Sequence, residues 1–279
     1  MDTGSNTRVR HGLAFGLTVT ALLTAPRVLA DVADDLRGGW MADAGGERHI
    51  LMLVVRDGVV SGTYCTACTD PNNLAFVDDG RLTATGARFT LHHENGNGVV
   101  TRATVDGSIA DGQLLLDYVD GANAEHPAQL VFHQSPAVTI PAAPPGGFVP
   151  ARPYDPPAPP KVLQPEDVVG LWLFGSGPGK QYFIFRQLNG QLRGMVCGPC
   201  DDGANMAPLE NIHIDGQYLY FDIVHEDSGP GILEFGPHSN VTKATIAANE
   251  LHMWVIPSFQ PPTFTPIEMT LLGPVRHME

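Results

Sequence analysis

Lysine is almost missing from this chain. Lys161, Lys180 and Lys243 are the only three in 279 residues, and the 16 basic side chains face 30 acidic ones, a formal net charge of −14. That balance lacks the basic footprint of a nucleic-acid binder and disfavours an anionic membrane surface. Cysteine is as scarce, with four residues in two local pairs. Beyond residue 30 no apolar run approaches the ~20 residues of a bilayer-spanning helix, and no stretch carries a convincing amphipathic helical period. Nucleophile elbow, phosphate loop and paired-carboxylate signature are all missing, so no motif announces a reaction.

The first thirty residues read as a secretory signal. Arg8, Arg10 and His11 form a basic start, Gly12 to Thr24 is a short apolar run, and Val28-Leu29-Ala30 precedes Asp31 as a signal-peptidase site. Arg8 and Arg10 are not adjacent, so a twin-arginine signal is not supported. The expectation is a periplasmic or secreted protein with no transmembrane segment once residues 1–30 are removed. Losing Asp2, Arg8, Arg10 and Arg27 takes 30 acids and 16 bases to 29 and 13, a net of −16 for the mature chain.

The mature chain is duplicated. Trp40, Gly62, Cys65, Asn73, Phe89, His93 and Glu94 recur 132 positions later as Trp172, Gly194, Cys197, Asn205, Phe221, His225 and Glu226, with no gap between the first and last of them. In both copies two strand-like runs flank a two-residue turn, Asp57-Gly58 or Asn189-Gly190, the strongest short-range hairpin signal. A second hairpin follows, Arg81 to His93 or Asn211 to His225. Three later strands are expected in each copy, near residues 99–105, 113–119 and 129–133, then 241–247, 251–256 and 267–272. Register between the copies is lost there, which we assign to an insertion around Ser258 to Pro266. Short strands with turn signals every eight to twelve residues imply an all-β fold. Eight of them in up-and-down order imply a closed barrel without exposed edges. The chain therefore divides into a signal (1–30), barrel repeat 1 (31–135), a Pro-rich linker (136–165) and barrel repeat 2 (166–279). The linker holds 11 of the 24 prolines, which makes it a semi-rigid spacer.

Gly38-x-Trp40 and Gly170-x-Trp172 open the two copies, each ahead of a meander of hairpins. In this the repeats resemble lipocalin-like domains of the calycin superfamily, over roughly residues 34–134 and 166–273. The resemblance implies two tandem eight-stranded up-and-down β-barrels, with each Trp packed across a closed barrel end. It also implies a small apolar ligand held in a barrel with Trp40, Trp172, Phe89 and Phe221 near it. Some tandem members catalyse hydration or cyclisation of apolar substrates. Paired cysteines after the third strand are not part of the general pattern, and an eight-stranded barrel can be filled by its own side chains.

Two CxxC pairs, Cys65/Cys68 and Cys197/Cys200, end the third strand of each copy, and topology brings His93-Glu94 and His225-Glu226 to the same barrel end. Three readings stay open. Export favours an intraloop disulfide in each copy. Two thiolates with a histidine are the donor set of a zinc site with an open position, and copper is chemically possible. Cys197-Gly198-Pro199-Cys200 matches the thioredoxin tetrapeptide, yet a strand precedes it and Asp201-Asp202 would raise the thiol pKa. Period-two alternation points His93 and His225 inward and the first cysteine of each pair outward, which weakens the metal reading. The histidines, each beside a carboxylate, are the acid/base candidates for hydration, cyclisation or isomerisation of an apolar substrate; the plainer reading is a polar cap on the barrel. Apolar residues on both faces of the second strand, Ile50, Met52 and Val54 among them, predict that the barrels pack side by side.

Overall fold

In the computed structural model of the chain, residues 25–94, 100–119, 129–135, 162–175, 180–198, 200–225, 238–247, 249–257 and 267–275 are described. Residues 1–24 of the predicted signal, residues 136–161 of the linker, and Glu226 lie outside them.

The described residues form two closed, eight-stranded antiparallel barrels of up-and-down order. The first comprises β1 (Gly38–Ala44), β2 (Glu47–Arg56), β3 (Val59–Cys65), β4 (Ala75–Leu82), β5 (Gly86–Glu94), β6 (Val100–Ala110), β7 (Gln113–Tyr118) and β8 (Gln129–Gln134). The second comprises β9 (Gly170–Phe174), β10 (Gln181–Leu188), β11 (Gln191–Cys197), β12 (Met206–Asp215), β13 (Tyr218–His225), β14 (His238–Ala247), β15 (Glu250–Pro257) and β16 (Ile267–Val275). β8 returns to β1, and β16 to β9. The two-residue turns behave as their sequences require: Asp57-Gly58, Asn189-Gly190 and Asp111-Gly112 have positive φ at both positions, the conformation that matches strand twist. A bulge recurs at Asp79 in β4 and Asn211 in β12, both at φ 53°. It bends the same strand in each barrel.

A helix closes one end of each barrel. The first, α1 (Ala25–Leu36), sends Ala33 and Leu36 into the core, and the Trp40 indole donates to the Leu36 carbonyl at 2.9 Å. The single-turn α2 (Pro165–Val168) repeats this, with Trp172 donating to the Val168 carbonyl at 2.8 Å. Each Gly-x-Trp motif thus ties its tryptophan to a helix end, and the leading glycines adopt φ 101° and 138°, where a side chain would be strained. The expectation of a mature chain without an amphipathic helix is corrected here. α1 begins within residues 1–30 and runs past the expected cleavage point, so only Asp31 to Leu36 of it belong to the mature chain, and the residues it buries, Ala33 and Leu36, lie there. Leu163 and Val168 also belong to the second barrel's core.

Strand pairing moves the insertion as well. His93 pairs with Thr101 across β5–β6, and His225 with His238 across β13–β14. Eight positions in one copy match thirteen in the other, so most of the extra chain lies after β13, not around Ser258 to Pro266.

The barrels pack against each other through their outward faces. Ile50, Met52 and Phe76 of one meet Leu171, Ile184 and Met195 of the other in a buried apolar cluster that also contains Cys65, Cys68 and Cys197, with the half-buried Cys200 packed against it. This is why β2 is buried on both faces from His49 to Val55. The duplication makes the contact quasi-twofold, as in an isologous dimer. Ser61 donates to Glu210 at 3.4 Å, while their counterparts 132 positions away, Arg193 and Asp78, are joined at 2.6 Å. Arg186 adds bonds to the Asn72 side chain (2.9 Å) and the Glu94 carbonyl (2.5 Å). Burial holds its pKa below the usual guanidinium value, with Glu94 and Asp70 opposing the shift. The half-exposed Arg56–Glu210 pair contributes little; the apolar cluster carries the contact.

Candidate functional site

Both cysteine pairs are disulfide-bonded: Cys65–Cys68 and Cys197–Cys200, and no free cysteine is present. Asn73 braces the first ring, its side-chain oxygen accepting from the Thr66 and Ala67 backbone amides at 2.6 and 2.8 Å. Asp70 and Asp202 each cap the short turn that follows, accepting from Asn72 N and Ala204 N. A four-residue ring removes little loop entropy. Its effect is to shape a loop that is buried between the barrels.

The cysteines and histidines share a barrel end but not a face. Cys65 and Cys197 point into the inter-barrel cluster. His225 lines a cavity inside the second barrel, and His93 Nε2 is bonded to the Asn72 carbonyl. Sulfur and imidazole are therefore on opposite sides of the wall, and the sulfurs are already bonded to each other. Among the described residues no group of three His, Cys, Asp or Glu is placed to hold a metal ion. Glu94 lies at the end of β5, half-buried beside Arg186. Trp40, Trp172, Phe89 and Phe221 are fully buried core residues, none of them on the cavity wall.

That cavity, about 60 Å³, sits at the end of the second barrel away from α2. Its apolar wall comes from Phe183, Val196, Ala207, Ile223, Val255 and Met269, its polar rim from Gln181, Asn205, His225 and Asn240. The reason it exists in this barrel lies in the other one. Gln181 and Val196 stand 132 positions after His49 and Tyr64, and in the first barrel that space is filled. The Tyr64 hydroxyl lies 2.6 Å from His49 Nδ1, and the rings stack at 6.0 Å. Tyr118 comes against Tyr64 from β7, and strand pairing makes Val255 its counterpart (Val105 faces Tyr118 as Thr242 faces Val255). Two tyrosines in the first barrel are thus two valines in the second. No family model, no curated protein and no solved structure matches this chain.

Sequence reasoning missed Asn240, Gln181, Val196 and Val255. For Gln181 and Val196 the constant offset already contained the signal: a duplication that exchanges a buried His–Tyr pair for Gln and Val has emptied space. Asn240 and Val255 lie beyond the insertion, where only pairing aligns the copies.

The filled barrel has its own pH signature. Burial pushes the Tyr64 phenol far above its ordinary value, with Tyr118 adding to the shift, and burial also raises Tyr118. An unfolded tyrosine ionises near pH 10, so above that the folded chain holds protons that the unfolded chain releases. Stability is fully present below about pH 10 and falls as pH rises beyond it, by about 1.4 kcal/mol per pH unit for each tyrosine. Urea unfolding at pH 8, 9.5 and 10.5 measures this. Tyr64→Phe should flatten the alkaline decline, and an unchanged decline would remove Tyr64 as its source.

Proposed function

We propose that this chain is an exported, tandem lipocalin-like protein that binds a small molecule, holding an apolar ligand in its second barrel. The observation that carries the reading is the cavity of about 60 Å³ in one barrel where the duplicated barrel is filled. At 10–15 Å³ per water, that space suits about four to six waters or a few ligand atoms, with the remainder projecting through the barrel end. Apolar walls with a few convergent polar groups are what small-ligand sites share. Two disulfides fit an oxidising compartment, and among the described residues no helix is long and apolar enough to cross a membrane.

Native mass spectrometry of protein purified from an oxidising compartment, without reductant, is the test. The expected result is a mass four protons below the reduced chain, with a small organic molecule that leaves on activation. Failure to retain any small molecule, from its own host or from an added apolar library, would overturn the reading.

His225 on the cavity wall supports a second reading, acid/base catalysis on the bound molecule. His225→Ala separates the two. Binding survives the substitution if the imidazole is only a polar cap. Turnover by the parent and none by the variant would make His225 a catalytic residue.

A further inference from the structure

Asn240 is fully buried, lines the second barrel's cavity, and has no partner among the described residues for either its side-chain amide nitrogen or its amide oxygen. Buried amides in folded proteins are hydrogen-bonded, and an unpartnered one needs an explanation. Packing does not supply it. Strand pairing aligns Asn240 with Ala103 and Thr242 with Val105, through Ile223↔Asn240 and Phe221↔Thr242 in one barrel and Leu91↔Ala103 and Phe89↔Val105 in the other. The first barrel shows that small apolar residues fill these positions. In the second, polar groups appear on the barrel wall where the cavity opens, and the Thr242 hydroxyl is also buried without a partner among the described residues.

Resting on the ligand-binding reading above, we propose that Asn240 recognises the polar end of the ligand, and that this end is a neutral amide, a carboxamide or lactam presenting a donor beside an acceptor. A primary amide offers N–H donors on one side and carbonyl lone pairs on the other. A cis N–H/C=O group answers both with two parallel hydrogen bonds. Among the described lining residues there is no carboxylate, so a cation would be buried without a counter-charge, at high cost. A free carboxylic acid is ionised at neutral pH and would need His225, the one titratable group among the described lining residues, to carry a proton, whereas a neutral amide needs no counter-charge. The wall of Phe183, Val196, Ile223 and Val255 then takes the apolar remainder.

The test uses the full disulfide-bonded chain and two rings of one size, δ-valerolactam and cyclohexanone, titrated while the side-chain amide resonances are followed by NMR. The lactam should bind about tenfold more tightly, the worth of one additional buried hydrogen bond, and should shift the Asn240 NH₂ signals. Asn240→Ala, which installs the residue found in the first barrel, should abolish the preference and leave cyclohexanone binding intact. Equal binding of both rings, or a preference that persists in Asn240→Ala, overturns the amide assignment while the ligand site stands. A long-lived water on the Asn240 amide that the lactam does not displace overturns it too. If neither ring binds in the barrel, the ligand-binding reading falls with it.

Discussion

Gly39→Val is expected to lower the unfolding free energy by about 3 kcal/mol or more, at a position that looks like an ordinary strand residue in the sequence. A Cβ on Gly39 would lie 2.1 Å from the Gly203 carbonyl carbon and 2.4 Å from Ala204 N, and one on Gly203 would lie 2.8 Å from Trp40 N. These are backbone atoms of the opposite barrel, so no rotamer change relieves the clash. Either β1 leaves its register beside Trp40, or the barrels move apart and expose the cluster around Ile184, Met195 and both disulfides. Cleaving the 136–165 linker with protease reads the second outcome directly. The parent barrels should stay together as one species on size exclusion, held by the buried contact, while the Gly39→Val halves separate. A variant with unchanged stability whose cleaved halves still co-elute would show that the two chains do not approach at Gly39.

Val196→Phe is expected to abolish ligand binding, by at least about a hundredfold, and to change stability by less than about 1.5 kcal/mol. The ring would occupy the place that the Tyr64 ring fills in the first barrel, so the duplicated copy shows that this wall accepts an aromatic residue there. The reciprocal change, Tyr64→Val, should cost about 3 kcal/mol, because it leaves a void where His49 and Tyr118 now pack. Ligand titration and urea unfolding of the two variants measure both effects. If Val196→Phe binds the ligand as the parent does, the ligand is not in the second barrel. A destabilisation as large as that of Tyr64→Val would mean that the cavity is not free to receive the ring.

The sequence by itself determined the duplication, the all-β class, the hairpin turns and the strand count, because these depend on local rules. Asp-Gly and Asn-Gly at positive φ make hairpins wherever they fall between strand-forming runs, and period-two alternation places Phe221 and Ile223 on the face opposite the cysteines. The same alternation was enough to aim Cys65 and Cys197 outward and to note apolar residues on both faces of β2. The helix α1 escaped because only its last six residues, Asp31 to Leu36, lie beyond the expected cleavage point, too few to show a helical period. Only the tertiary structure decided what the outward face packs against, and therefore that both disulfides are interface residues. It alone showed which barrel holds the cavity. A void is a difference between side chains on several strands, Val196, Val255 and Asn240 against Tyr64, Tyr118 and Ala103. A five-residue insertion after β13 hides two of those three correspondences from any constant offset. Hydrogen-bonded strand pairing restores them, because register across a barrel is set by neighbours in space and not by distance along the chain.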